Sequence, residues 1–150
     1  MNHNHQIIND FFAFFRQRSP LPVIILINIA VFIFVNLVKT GIYLANLSNT
    51  SAFLKFISLL AVPANINSLF EKPWTIITYM FLHEGFFHIL FNMLILFFAG
   101  KLFLQYIGRK RIINVYIFGG ICGAAFFILS YNIFPVFESS LNIAVALGAS

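Results

Sequence analysis

Three long apolar segments constrain this chain more than any other feature. They run from about Leu21 to Val38, from Phe86 to Leu104 and from Ile112 to Ile133. A helix needs about 20 mainly apolar residues to cross the hydrocarbon core of a bilayer, and each segment is close to that length. Only 9% of the 150 residues are charged, whereas a soluble domain carries about a quarter. The sequence therefore predicts an all-α polytopic membrane protein with three full spans.

The charged residues lie between these segments, where they set the orientation of a membrane protein. The net charge of +5 does not form a basic polar surface, so nucleic-acid binding is not indicated. Most basic residues flank one side of the predicted membrane: Arg16, Arg18, Lys101, Arg109, Lys110 and Arg111. The pattern predicts a multi-pass protein of the plasma (inner) membrane, with a cytoplasmic N-terminus and with residues 40–85 and 134–141 outside.

The chain divides into a short N-terminal region and a membrane domain. Residues 1–19 carry apolar side chains on one helical face, which predicts a cytoplasmic tail with a helix in the membrane interface; a disordered tail is the alternative. Residues 20–150 form the predicted transmembrane domain. Within it, residues 51–62 predict a partly submerged helix that ends at Pro63, in a membrane-embedded first loop.

The last apolar stretch, from Leu141 to Ser150, is about half a span long. It predicts the start of a fourth helix that runs inward. A terminal carboxylate at membrane depth would cost several kcal/mol, so we expect the sequence to be incomplete at its C-terminus.

Small and polar residues inside the spans predict contacts between helices. Asn28 and Asn36 of the first span are expected to form hydrogen bonds across helices. In the third span, Gly119 and Gly123 are four residues apart, as are Gly120 and Ala124, so another helix could approach closely there.

The stretch HEGFFHILFN, from His83 to Asn92, resembles a zinc-protease helix at first sight. Zinc proteases place two histidines four residues apart, but His83 and His88 are five apart. On one regular helix that spacing separates them by about 140°, and a carboxylate ligand is also missing, so a metalloprotease is disfavoured. His88 and Asn92 are one turn apart, and both side chains donate hydrogen bonds.

Polar side chains within spans are costly and often functional. The pair His88 and Asn92 could instead connect two helices, and Ser150, in LGAS, could be a small packing residue. From the residues alone, a channel, a transporter and an enzyme all remain open.

The run PWTIITYMFLHEGFFHILFNMLILFFAG, residues 73–100, resembles the second-span region of rhomboid intramembrane serine proteases. The terminal LGAS resembles the start of their Gly-x-Ser-Gly motif, and the resemblance covers about Pro73 to Ser150. It implies a rhomboid-like helical bundle in the lipid bilayer that hydrolyses peptide bonds in or near the transmembrane helices of single-span substrates. No metal and no cofactor are implied.

The resemblance also implies roles for individual residues. Ser150 matches the nucleophile, and His88 and Asn92 match the donors that stabilise the oxyanion. His83 matches a histidine that supports the site, and Gly148 matches the first glycine of the nucleophile motif.

Two departures from the family pattern are visible. Trp74 is followed by Thr75, where many members have an arginine. The family's general base is a histidine on a later span, and no histidine follows Ser150. We therefore expect the 150-residue chain to be inactive alone. A catalytically inactive rhomboid-like protein that binds transmembrane helices is the alternative function.

Overall fold

The computed structural model describes residues 19–45 and 50–148. Three of its helices are long and apolar enough to cross a membrane, with mean hydropathies of 2.8, 1.9 and 2.2. In chain order the elements are α1 (Pro20–Leu44), α2 (Thr50–Ser58), β1 (Val62–Pro63), α3 (Ile66–Glu71), α4 (Thr75–Thr78), a 3-10 turn (Tyr79–Phe81), α5 (Phe86–Tyr106), α6 (Ile112–Ile133), a second 3-10 segment (Pro135–Ser140) and β2 (Val145–Ala146).

The prediction of an all-α polytopic bundle with three spans is confirmed. Helix α6 has the predicted bounds, and α5 ends two residues later than predicted. Helix α1 continues to Leu44, past Lys39, whose Nζ lies 5.5 Å from the ring centre of Phe53. The tail and interfacial helix predicted for residues 1–19 lie, apart from Ser19, outside the described residues.

One end of the bundle is built from apolar side chains, and we call it the basic end because Arg109–Arg111 lie there, between α5 and α6. Leu21 of α1 and Ile112 of α6 share a buried cluster, against which Leu104 of α5 packs. Helices α1 and α5 approach closely here, since a Cβ added to Gly100 would lie 2.5 Å from Cδ1 of Leu21. The start of α1 therefore lies on the same side as the loop between α5 and α6.

The opposite end, which we call the loop end, contains α2 to α4 and both strands. Helix α2 ends at Ser58 rather than at Pro63. Three successive carbonyl groups after its last turn accept side-chain hydrogen bonds. Lys72 Nζ donates to Ser58 at 3.3 Å, Trp74 Nε1 to Leu59 at 2.8 Å and Thr78 Oγ1 to Leu60 at 2.6 Å. These donors satisfy carbonyls that a helix end leaves unpaired.

Strands β1 and β2 join the two irregular segments of the loop end. They pair antiparallel, with Val62 opposite Ala146, and the N–H of Ala64 donates to the carbonyl of Ala144 at 3.0 Å. The predicted start of a fourth helix is therefore wrong for residues 141–148, which form turns and a strand. The apolar composition of this stretch suits a membrane span, but the backbone of residues 144–146 pairs with the distant segment 62–64 instead of continuing as a helix.

Gly120 and Ala124 of α6 pack against the 3-10 turn rather than against another helix. Both are buried, and a Cβ added to Gly120 would collide with Cε of Met80. Close approach was predicted correctly, but the partner is part of a loop. Asn28 does link helices, because its Nδ2 lies 3.1 Å from the hydroxyl of Tyr116 on α6.

Candidate functional site at the loop end

The candidate site lies where the loop enters α5. Gly85 is the N-cap of this helix, with extended backbone angles, so His83 precedes the helix and is not part of it. The 140° separation expected for His83 and His88 on one regular helix therefore does not apply. Their rings instead make an edge-to-face contact, with centroids 5.2 Å apart and an interplanar angle of 66°.

His83 is a buried histidine that supports this contact. Its Nδ1 lies 3.1 Å from the carbonyl oxygen of Phe81, which can only accept, so Nδ1 carries a proton. Burial lowers the pKa of His83 below its ordinary value; the carbonyl of Phe81 partly opposes this effect, and His88 adds to it. His83 is therefore neutral at pH 7.

His88 and Asn92 occupy the first two turns of α5 and are both half-buried. Their spacing of four residues places them on one face of the helix, one above the other. Within residues 19–45 and 50–148, no acceptor takes a hydrogen bond from either side chain. Both donors are thus available to a group that enters the site from the loop end.

Gly148 lies against His88. Its N–H donates to the carbonyl of Tyr79 at 2.8 Å, and its φ of +77° is in the left-handed region that glycine adopts without strain. A Cβ at this position would lie 2.9 Å from the carbonyl oxygen of Leu82 and 3.2 Å from Nε2 of His88. A larger residue would therefore collide with backbone on one side and face an imidazole on the other.

The structure thus brings together three of the five predicted site residues: His83, His88 and Gly148. Asn92 lies one turn further along α5, and Ser150 lies outside the described residues. The sequence analysis missed Tyr79, whose carbonyl binds Gly148. A tyrosine in an apolar loop carries no signal of such a role, because the contact depends on the distant pairing of β1 with β2.

A cavity of about 380 Å³ opens beside His83, between α1, α2 and the entry to α5. Its wall is mainly apolar, with Lys39 and Glu84 as its charged residues. Among the described residues, no group of three histidine, cysteine or acidic side chains could hold a metal ion.

These features define a polytopic membrane protein. Its candidate hydrogen-bond donors lie at one end of the bundle, beside the backbone segment that contains Gly148. A family model described as the rhomboid domain matches residues 71–150, which is more than half of the chain and includes every candidate site residue. The chain belongs to the rhomboid family and is an integral membrane protein. Comparisons with curated proteins and with solved structures give no match.

Proposed function

We propose that this protein is an intramembrane serine endopeptidase. It would hydrolyse peptide bonds in or near the transmembrane helices of single-span membrane proteins. The observation that carries the proposal is the closeness of Gly148 to His88, since a Cβ added to Gly148 would lie 3.2 Å from Nε2 of His88. It brings the start of the nucleophile motif next to a hydrogen-bond donor of a different element. Membership of the rhomboid family supports the same reaction.

Ser150 is the proposed nucleophile. It follows Gly148 by two residues, and two residues of extended chain span at most about 7 Å. The N–H of Gly148 is bound by the carbonyl of Tyr79, and a Cβ added to Gly148 would lie 3.2 Å from Nε2 of His88, which supports a site that combines the nucleophile motif with the donors on α5. A serine hydroxyl needs a general base, and the family pattern supplies a histidine on a span that follows the nucleophile.

His88 and Asn92 are the proposed oxyanion donors. When the Ser150 hydroxyl adds to the scissile carbonyl, its proton passes to the base and negative charge develops on the carbonyl oxygen. Ring N–H of His88 and Nδ2–H of Asn92 would donate to that oxygen. Collapse expels the amine, which takes the proton from the base, and water then hydrolyses the acyl-enzyme. The positive end of the α5 helix dipole also stabilises the negative charge on that oxygen.

His83 is proposed to hold the His88 ring in place. It is buried, it is bonded to Phe81, and it contacts His88 edge to face. The edge-to-face contact with His83 restricts rotation of the His88 ring, whose N–H must remain directed at the substrate.

We also propose that the basic end faces the cytoplasm and that the protein resides in the plasma (inner) membrane. Arg109–Arg111 lie at that end, together with the start of α1, and cytoplasmic loops are enriched in Lys and Arg. The candidate site would then open on the outer side, where water for hydrolysis is available.

The test of the function uses the full-length gene product, including any sequence after Ser150, in liposomes with single-span reporter proteins. We expect cleavage by the unaltered protein and none by Ser150→Ala, while Ser139→Ala, an exposed serine of the second 3-10 segment, keeps full activity. Undiminished cleavage by Ser150→Ala would overturn the assignment. Binding of the reporters without any cleavage would instead support the inactive helix-binding alternative.

A chelator separates the serine mechanism from a metal-dependent one. The proposed reaction requires no metal, so EDTA or phenanthroline is expected to leave the cleavage rate unchanged. Activity that a chelator removes and zinc restores would contradict the proposal and return attention to His83 and His88.

A further inference from the structure

Tyr79 connects the candidate site to α6. It is the first residue of the 3-10 turn and is 2% exposed. Its carbonyl accepts the N–H of Gly148 at 2.8 Å and the N–H of Leu82 at 3.1 Å. Its hydroxyl donates to the carbonyl of Gly120 in the middle of α6. Tyr79 therefore forms a hydrogen bond to α6 through its side chain and a hydrogen bond to Gly148, in the candidate nucleophile segment, through its backbone.

The surface of α6 is shaped to receive this side chain. A Cβ at Gly123 would lie 3.0 Å from the Tyr79 hydroxyl, which is tighter than ordinary contact. Ala124 packs in the same buried cluster as Tyr79, together with Val62 of β1. The small residues of α6 thus set how far the tyrosine ring can insert, and the hydroxyl bond fixes it at that depth.

Both sides of Gly148 depend on the same short segment of chain. Tyr79 and Leu82 are the ends of one turn. The carbonyl of Tyr79 accepts the N–H of Gly148, and the carbonyl of Leu82 is the group that a Cβ added to Gly148 would meet. A shift of this turn along α6 would move Gly148 relative to His88. The distance between the nucleophile segment and the oxyanion donors is therefore set by where Tyr79 is anchored.

We propose that Tyr79 is a positioning residue for the reaction: its hydroxyl bond to Gly120 fixes the 3-10 turn, and its carbonyl fixes Gly148 close to His88, two residues before the proposed nucleophile. The inference rests on the proposed function. Tyr79 touches neither the substrate nor the reacting atoms, so it acts on the rate only through the backbone that it holds.

Tyr79→Phe tests the hydroxyl bond and keeps the ring in its cavity. Tyr116→Phe is the matched control, since Tyr116 lies on α6 and its hydroxyl bonds Asn28 of α1 at 3.1 Å, whereas it reaches the carbonyl of Met80 in the 3-10 turn only at 3.5 Å, the limit of a hydrogen bond. Both variants lose one hydroxyl at a partly or fully buried position. They differ in whether that hydroxyl anchors the residue that binds Gly148.

The first measurement is hydrogen–deuterium exchange of the full-length protein in liposomes, which requires no catalytic activity. We expect faster exchange in the segment 141–148 of Tyr79→Phe than of the unaltered protein, because the Gly148 N–H loses its fixed acceptor. Tyr116→Phe is expected to leave that segment unchanged. Equal exchange in the two variants would overturn the proposal, whether or not the protein is a protease.

The second measurement is the cleavage of a single-span reporter under saturating and limiting conditions. Tyr79→Phe is expected to lower kcat by about fivefold to tenfold, the rate equivalent of one hydrogen bond, with KM unchanged and with slower labelling of Ser150 by a fluorophosphonate. Tyr116→Phe is expected to keep kcat even where its unfolding temperature falls. Faster exchange in Tyr79→Phe without a loss of kcat would refute the role in positioning.

The two measurements separate failure of the inference from failure of the proposed function. Absence of cleavage and of fluorophosphonate labelling in the unaltered protein would refute the protease assignment. Exchange at residues 141–148 would still decide whether Tyr79 holds Gly148. An active protein with unaltered exchange in Tyr79→Phe would refute the inference alone.

Discussion

The two ends of the helical bundle are held together by different interactions. At the basic end, apolar side chains of α1, α5 and α6 pack around Leu21, and Gly100 lets two helices approach. At the loop end, side-chain donors bind the carbonyls of residues 58–60, and a pair of two-residue strands joins segments that are far apart in the chain. The candidate site lies entirely at the loop end.

The difference follows from how each backbone satisfies its hydrogen bonds. A continuous helix pairs its own N–H and C=O groups, so the basic end needs only complementary shapes. An irregular loop cannot pair its backbone groups within itself in this way, so it must find partners for them elsewhere in the protein. The loop end is therefore the part of the molecule where single polar contacts fix the positions of functional groups.

The largest effect is expected from the proposed oxyanion donors, which belong to the loop end but lie on a regular helix. His88→Ala and Asn92→Ala are each expected to lower kcat by about 10²–10³-fold, the usual cost of one oxyanion donor, with little change in thermal stability. Steady-state cleavage of a single-span reporter measures this. Asn114→Ala, which alters an exposed asparagine in the first turn of α6 at the basic end, is the control. Full activity in both site variants would remove them from the mechanism.

Gly148→Ala should show more clearly how the loop end differs from the basic end in its effect on the cleavage rate. The new Cβ would lie 2.9 Å from the Leu82 carbonyl in a left-handed backbone, so the nucleophile segment must shift. A displacement of about 1 Å can cost about 10²-fold in rate, and we expect a loss of this order.

Gly108 supplies the matched comparison, since it lies at the basic end with a φ of +87° and no atom within 4 Å of an added Cβ. Gly108→Ala shares the backbone strain but touches nothing in the site, so its cleavage rate is expected to stay near that of the unaltered protein. Equal losses of activity in the two variants would show that strain, not displacement, causes the effect.

At the basic end the expected effect is on stability alone. Gly100→Ala places a Cβ 2.5 Å from Leu21, and overpacking of this kind costs about 1–3 kcal/mol. Gly119→Ala, with nothing within 4 Å, should be neutral or slightly stabilising because alanine favours helices. Thermal unfolding in detergent compares the two. A reduced kcat in folded Gly100→Ala would contradict the separation between the ends.

The smallest effect is a pH dependence at His83. Its pKa is lowered in the folded state, so on acidification the unfolded chain binds a proton before the folded chain does. The contribution of His83 to the free energy of unfolding is therefore fully present above about pH 6.5. It is lost as the pH falls toward the folded-state pKa. Unfolding temperatures measured across this range should fall less steeply for His83→Gln, and an identical pH dependence would remove His83 as the source.

The sequence predicts the basic end better than the loop end. The bounds of α5 and α6 follow from apolar composition interrupted by Gly85 and by a basic loop, and these are local signals. Asn28 links helices as predicted, but Asn36 bonds the carbonyl of Phe32 in its own helix. Spacing alone cannot tell an asparagine that faces a neighbouring helix from one that does not.

At the loop end, two predictions failed for a shared reason. Residues 141–148 are not helical, and helix α2 ends at Ser58 rather than at Pro63. In both cases the local pattern is compatible with a helix, while the outcome is decided by contacts with distant parts of the chain. The spacing of His88 and Asn92 was recognised because it is local, whereas the approach of Gly148 to His88 was expected only from the resemblance to the rhomboid family.

The pairing of β1 with β2 also constrains how the protein is made. Val62 and Ala146 lie on opposite sides of two complete spans in the chain, so β1 leaves the ribosome long before its partner exists. The first loop must wait, with an unpaired strand edge, while α5 and α6 are inserted. Pairing over such a sequence distance is slow, and exposed edges invite wrong partners. Assembly of the loop end is therefore a late event in biosynthesis, and it is the step at which chaperones and quality-control proteases would meet this chain.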